Sequence, residues 1–128
     1  MITLKVEMAD TPSLQEKGLM FRKSLEDNAG MLFKFSNPSV LKFWGMNTYI
    51  PLDIAFVSPE NKIVKIDHIK PYCLSGVSSD MDCHLAIEAN MNFFSKNDIM
   101  IGDKVDIEKD DEGFYSVSFK KDKGLEKK

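Results

Sequence analysis

The residues best placed to do chemistry lie in and around one stretch, Phe43-Trp44-Gly45-Met46-Asn47-Thr48-Tyr49-Ile50-Pro51-Leu52-Asp53. It holds the only tryptophan of the chain. An indole offers a broad apolar face and one N–H donor, which suits Trp44 to stacking on a sugar ring or a base. Asn47 and Thr48 are short hydrogen-bonding side chains that could orient such a ligand, though both also stabilise turns through nearby backbone. A core role for Trp44, sealing one end of the fold, is the simpler reading. Strand alternation, however, aims Lys42 to the same side as Trp44, which favours a partly open groove.

Asp53 and Glu88 are the carboxylates that could act as an acid/base pair, for example in cleaving a glycosidic link. The simpler expectations are an ion pair between Asp53 and Arg22, and a solvated surface position for Glu88. Cys73, Cys83, His68 and His84 invite a metal reading, yet their spacing fits no Cys-x-x-Cys or His-x-x-x-His pattern. His84 follows Cys83 on an expected strand and so points to the opposite face, leaving no thiol with an evident base. A Gly-rich phosphate loop, a Gly-flanked Ser nucleophile and a basic-aromatic alternation for nucleic acid are all missing. No metal or cofactor is expected.

These residues need a scaffold, and the pattern supplies strands. Ile2 to Met8 alternates apolar with polar. Asp10-Thr11-Pro12 then opens a short helix, with Leu14 and Leu19 expected on its buried side and Gly18 permitting close approach of another backbone. Further strands are expected at Met31–Phe35, ending at Asn37-Pro38, and at Val40–Trp44, Leu52–Ser58, Lys62–Ile69, Cys83–Ala89, Lys104–Lys109 and Phe114–Lys120. Lys70 to Asp82 reads as an irregular crossing, and Asn90 to Asn97 as a short apolar turn or helix. The fold class is mainly β (α+β): a compact antiparallel, barrel-like sheet of six to eight strands with one or two short helices.

At 128 residues, 43% hydrophobic and 29% charged, the chain can bury a core as one domain. The domain is expected over 1–119, with a basic, flexible tail over 120–128. That tail holds five Lys against Asp122 and Glu126, so it carries +3, and the body carries −6 of the net −3. An acidic body disfavours nucleic acid as a partner. No apolar run is long enough to span a membrane. The first residues already carry Lys5, Glu7 and Asp10, which does not read as a secretory signal, so a cytoplasmic location is expected. Cys73 and Cys83 are then expected as free thiols.

Several segments in order, Ala9-Asp10-Thr11-Pro12, Gly18-Leu19-Met20-Phe21-Arg22, Gly30-Met31-Leu32-Phe33, the Trp44 stretch and Ile101-Gly102-Asp103-Lys104-Val105, resemble the uncharacterised family known as domain of unknown function 192. The resemblance covers residues 3 to 107. It implies a compact β-rich fold found in bacteria and archaea, often exported, and no established activity. The sequence departs from the family pattern where Gly45 and Met46 stand in place of a Met-Lys pair, which removes a basic side chain beside the motif. Taken together, the residues favour a binding module without catalysis. Its groove is expected around Trp44, Asn47, Thr48 and Asp53, with Arg22 and Glu88 nearby, for a small polar ligand such as a carbohydrate. The alternatives are a paired-carboxylate hydrolase and an interaction module using Phe93, Phe94 and the last strands.

Overall fold

A computed structural model describes residues 2–122. Seven strands form one sheet in the order β4-β3-β5-β2-β1-β7-β6. They are β1 (Ile2–Ala9), β2 (Ala29–Phe43), β3 (Leu52–Val57), β4 (Ile63–Ile69), β5 (Val77–Asn90), β6 (Lys104–Lys109) and β7 (Tyr115–Lys120), with α1 (Pro12–Lys17) and α2 (Phe93–Lys96) between them. The sheet curls into a half-barrel. Its two edges meet at one end, where Ile63 N–H donates to Asp103 C=O (2.9 Å) and Val105 N–H donates to Asn61 C=O (2.9 Å). The mainly β expectation is met. The one parallel ladder, β1 with β2, follows from the long connection through α1, since parallel neighbours need a crossover.

Two expected strands, Met31–Phe35 and Val40–Trp44, are one long β2. Pro38 does not end it because the β2–β5 register shifts between Lys34 and Ser39, and a bulge tolerates the missing N–H. The expected irregular crossing likewise gives way at Val77 to β5, with Asp80 in left-handed backbone at φ 64°. Lys120 belongs to β7, and Lys121 pairs with Asp103 (2.9 Å), so the expected tail begins within the fold; residues 123–128 lie outside the described residues.

Both faces of the sheet are apolar. Inside the curl lie Leu4, Leu32, Ala55, Ile87, Val117 and Phe119. The outer face carries Met31, Phe33, Leu41, Ile54, Phe56 and Ala86, and Leu19 from the segment after α1 packs among them. Phe93 and Phe94, expected to serve association, are buried instead: they meet edge to face at 5.4 Å, and Phe94 also meets Phe119. α1 buries none of its residues, so Leu14 is exposed, contrary to expectation. That helix is held by Thr11, whose hydroxyl accepts from Leu14 N–H (3.3 Å), and by Gln15, whose amide donates to Lys34 C=O (2.8 Å).

Gly30 sits where β1, β2 and β5 run side by side, opposite Val6 and Ala89. A Cβ there would lie 2.2 Å from Glu88 C=O and 2.9 Å from Leu4 Cδ2. Backbone in a central ladder cannot yield as a side chain can. Gly30→Ala is therefore expected to cost about 3 kcal/mol or more, the upper range for overpacking, read as a lowered denaturation midpoint.

Candidate functional site

The outer face of the sheet is not fully covered. Between α1, the segment following it and the second half of β2 lies a cleft of about 250 Å³, lined in part by Gln15, Glu16, Lys17, Phe33, Phe35, Lys42, Phe43, Trp44, Thr48 and Glu88. Trp44, just past the end of β2, is 48% exposed and forms part of its wall together with Lys42 and with Phe43, which strand alternation would aim the other way. Gly18 also borders the cleft, in backbone at φ 48°, where a Cβ would meet the Phe33 ring at 3.3 Å; what approaches it is a side chain and not the other backbone expected.

Glu88 is the exception to the sequence reading. It is 5% exposed rather than solvated, flanked across the ladders by Met31 on β2 and Ile54 on β3. Among the described residues no group forms a hydrogen bond or ion pair with its carboxyl. No polar atom of these residues is both sealed and unpartnered, so its oxygens open to the cleft. Burial alone pushes its pKa from 4.5 up to about 8. The side chain is thus a neutral acid at pH 7, one donor and one acceptor facing an aromatic-walled space.

Asp53 does not join it. Asp53 pairs in register with Ala89, the neighbour of Glu88, so the two carboxylates leave the sheet on opposite faces. The paired-carboxylate arrangement is therefore absent. Nor does Asp53 pair with Arg22: the guanidinium takes Glu7 in a two-point contact, with Nη2 to Oε1 at 2.7 Å, because Glu7 lies exposed on β1 beside the crossover. Asp53 is 1% exposed and hydrogen-bonds His68 Nδ1 at 2.7 Å across the β3–β4 ladder. Neither Arg22 nor Asp53 lines the cleft.

Asn47 and Thr48 do what short polar residues do in turns. Asn47 adopts φ 53°, and its C=O accepts from Phe21 N–H (2.8 Å), tying the motif to the crossover. The Thr48 hydroxyl donates to Met46 C=O (3.2 Å). Only Thr48 of the two reaches the cleft. Gly45 has a steric explanation: a Cβ would lie 2.3 Å from Lys70 C=O and 2.8 Å from Cys73 N, so the 70–73 segment can pass only if this position is bare.

On the other side of Trp44 a second cleft of about 220 Å³ holds His68, Lys70, Cys73 and Ser75. Cys73 and Cys83 are both free. The Ser75 hydroxyl, 3.0 Å from Cys73 Sγ, and the Ser75 amide hold the Cys73 thiol below its ordinary pKa, whereas burial pushes the Cys83 thiol up. Among the described residues no three His, Cys, Asp or Glu side chains converge so as to hold a metal ion.

Two outcomes follow from these shifts. The folded protein retains the Glu88 proton that an unfolded chain gives up near pH 4.5. Its contribution to stability is therefore whole below 4.5 and lost as pH rises through 8. Glu88→Gln removes this dependence, so the variant should gain on the order of 4 kcal/mol over wild type between pH 5 and pH 9 in denaturant titrations; parallel curves would contradict it. Iodoacetamide at neutral pH should label Cys73 roughly tenfold faster than Cys83 or more, since Cys73 is partly exposed with its thiol pKa held down and Cys83 is buried with its pKa pushed up, as read by peptide mass spectrometry.

Among curated proteins none matches the chain. Two solved structures are similar to it. One, from Sinorhizobium meliloti 1021 and described provisionally as a transcription regulator, is 31% identical with a TM-score of 0.77, covering 79% of this chain and 79% of that one. The other, a protein of unknown function from Novosphingobium aromaticivorans DSM 12444, is 36% identical with a TM-score of 0.78, covering 80% of this chain and 74% of that one. No helix among the described residues is long and apolar enough to cross a membrane. A family model described as "Uncharacterized ACR" matches residues 2–107, and the chain belongs to this family, domain of unknown function 192.

Proposed function

We propose that the protein is a binding module for a small polar ligand, taken up in the cleft between α1 and the end of β2. The observation that carries this reading is Glu88: a carboxyl withdrawn from water, without a partner among the described residues, and open to a cleft walled by Trp44, Phe33 and Phe43. Burying such a group costs stability unless something hydrogen-bonds to it. The cost is sensible where an occupant supplies the missing partner. At about 250 Å³ the cleft lies just under the roughly 300–1,000 Å³ of drug-sized sites, so the occupant is small.

Catalysis has less support. Glu88 is not paired with Asp53, which bonds His68 on the opposite face of the sheet, and the other carboxylate of the cleft, Glu16, stands at its exposed rim. The body charge of −6 also weighs against nucleic acid, whatever the provisional label of the Sinorhizobium protein.

Because Trp44 is the only indole and borders both clefts, its emission reports on either, and loss of the response in Glu88→Gln assigns it to this one. Titration with pooled sugars, nucleosides, amino acids and amines should give a saturable spectral change and a raised melting temperature for at least one class, both lost in Glu88→Gln. A Trp44 signal and melting temperature that stay constant across all pools would overturn the reading.

A further inference from the structure

The cleft has a direction. Its buried end is Glu88 among Phe33, Phe43 and Leu19; its exposed rim carries Lys17 and Glu16 from α1 and Lys42 from β2. Neither lysine pairs with Glu88, so the charge at the rim does not satisfy the acid below it. Phe33 and Phe43 meet edge to face at 4.9 Å, which presents ring faces and edges to the same space as the indole.

Two partners could satisfy a buried carboxyl. A hydroxyl returns one neutral hydrogen bond. An ammonium or guanidinium returns a charge-assisted bond, about twice as strong, and is attracted in addition to the negative faces of the rings. An anionic group on the same molecule, reaching the rim, would meet two lysines against one glutamate. Resting on the reading of this cleft as a ligand site, we infer that its occupant is a small zwitterion of the amino-acid kind. Its protonated amine or guanidinium sits against Glu88 and the aromatic rings, and its carboxylate lies between Lys17 and Lys42.

Such binding has a proton balance. Glu88 holds a proton at neutral pH, and the incoming cation is itself protonated. Forming the ion pair therefore expels the Glu88 proton to solvent, one per ligand bound. The charged groups sharing the cleft with Glu88 are Glu16, Lys17 and Lys42; His68 and His84, on other parts of the sheet, do not line it.

The test uses the intact protein with γ-aminobutyrate, arginine and agmatine against methyl glucoside and butanol, followed by Trp44 emission and by calorimetry in two amine-free buffers of different ionisation enthalpy. γ-Aminobutyrate or arginine should bind with release of close to one proton below pH 8. The affinity should rise about tenfold per pH unit from 6 to 8 and level off above. Glu88→Gln should abolish both the proton release and the slope while melting no lower than wild type at pH 6. Lys17→Ala with Lys42→Ala should weaken arginine about tenfold and leave agmatine unchanged. Agmatine binding as tightly as arginine would remove the rim carboxylate from the proposal. Methyl glucoside binding without proton release would overturn the cationic ligand yet keep the cleft as a site. Silence from every probe by both readouts would overturn the proposal, and if the wider pools are silent too, the site itself.

Discussion

A single sheet has two faces to keep from water, and among the described residues only helices of six and four residues are there to help. One face is covered by the sheet itself, which curls until its edges touch near Ile63 and Asp103. The other depends on irregular chain: the crossover around Leu19 and the turn that follows Trp44. The two are tied by backbone, Phe21 N–H to Asn47 C=O, and the turn is tied in turn to the 70–73 segment through Gly45 N–H and Cys73 C=O (2.6 Å). Loops cover a sheet less completely than a helix layer does, because few of their side chains point one way. The gap they leave here is the cleft.

That arrangement gives Glu88 its character. A carboxyl on the solvent face of an uncovered sheet would be an ordinary surface acid. The same carboxyl under a partial roof loses water without gaining donors, and Met31 and Ile54 on either side offer none. The chemistry of the position is thus created by the roof rather than by any neighbour in the chain.

This also explains which features could be read beforehand. Alternation in Ile2 to Met8 and the run Leu52 to Val57 declared their strands plainly. The extent of β2 and β5 did not, since a bulge opposite Pro38 is a property of two strands in register, and neither sequence alone contains it. Strand period set Trp44 and Lys42 on one side but Phe43 on the other, whereas all three line the cleft because β2 ends at Phe43; Gly18 could be marked as a point of close approach, though to a side chain. Burial of Glu88 could not, because its strand reads as amphipathic and the cover comes from residues far away in the chain. The expected ion pair of Arg22 with Asp53 failed for a similar reason: which carboxylate a guanidinium meets depends on which strand the crossover passes, and that strand is β1.

The pairing order also has a bearing on how the molecule is made. Of the seven strands β1 emerges first, and its outer edge is filled only by β7, which emerges last, through pairs such as Leu4 with Val117. Until then an alternating apolar strand has one ladder edge unpaired, a template on which another chain can add. The edge of β1 is therefore covered only once β7 has been made, and a chain cut short before Tyr115 leaves it open.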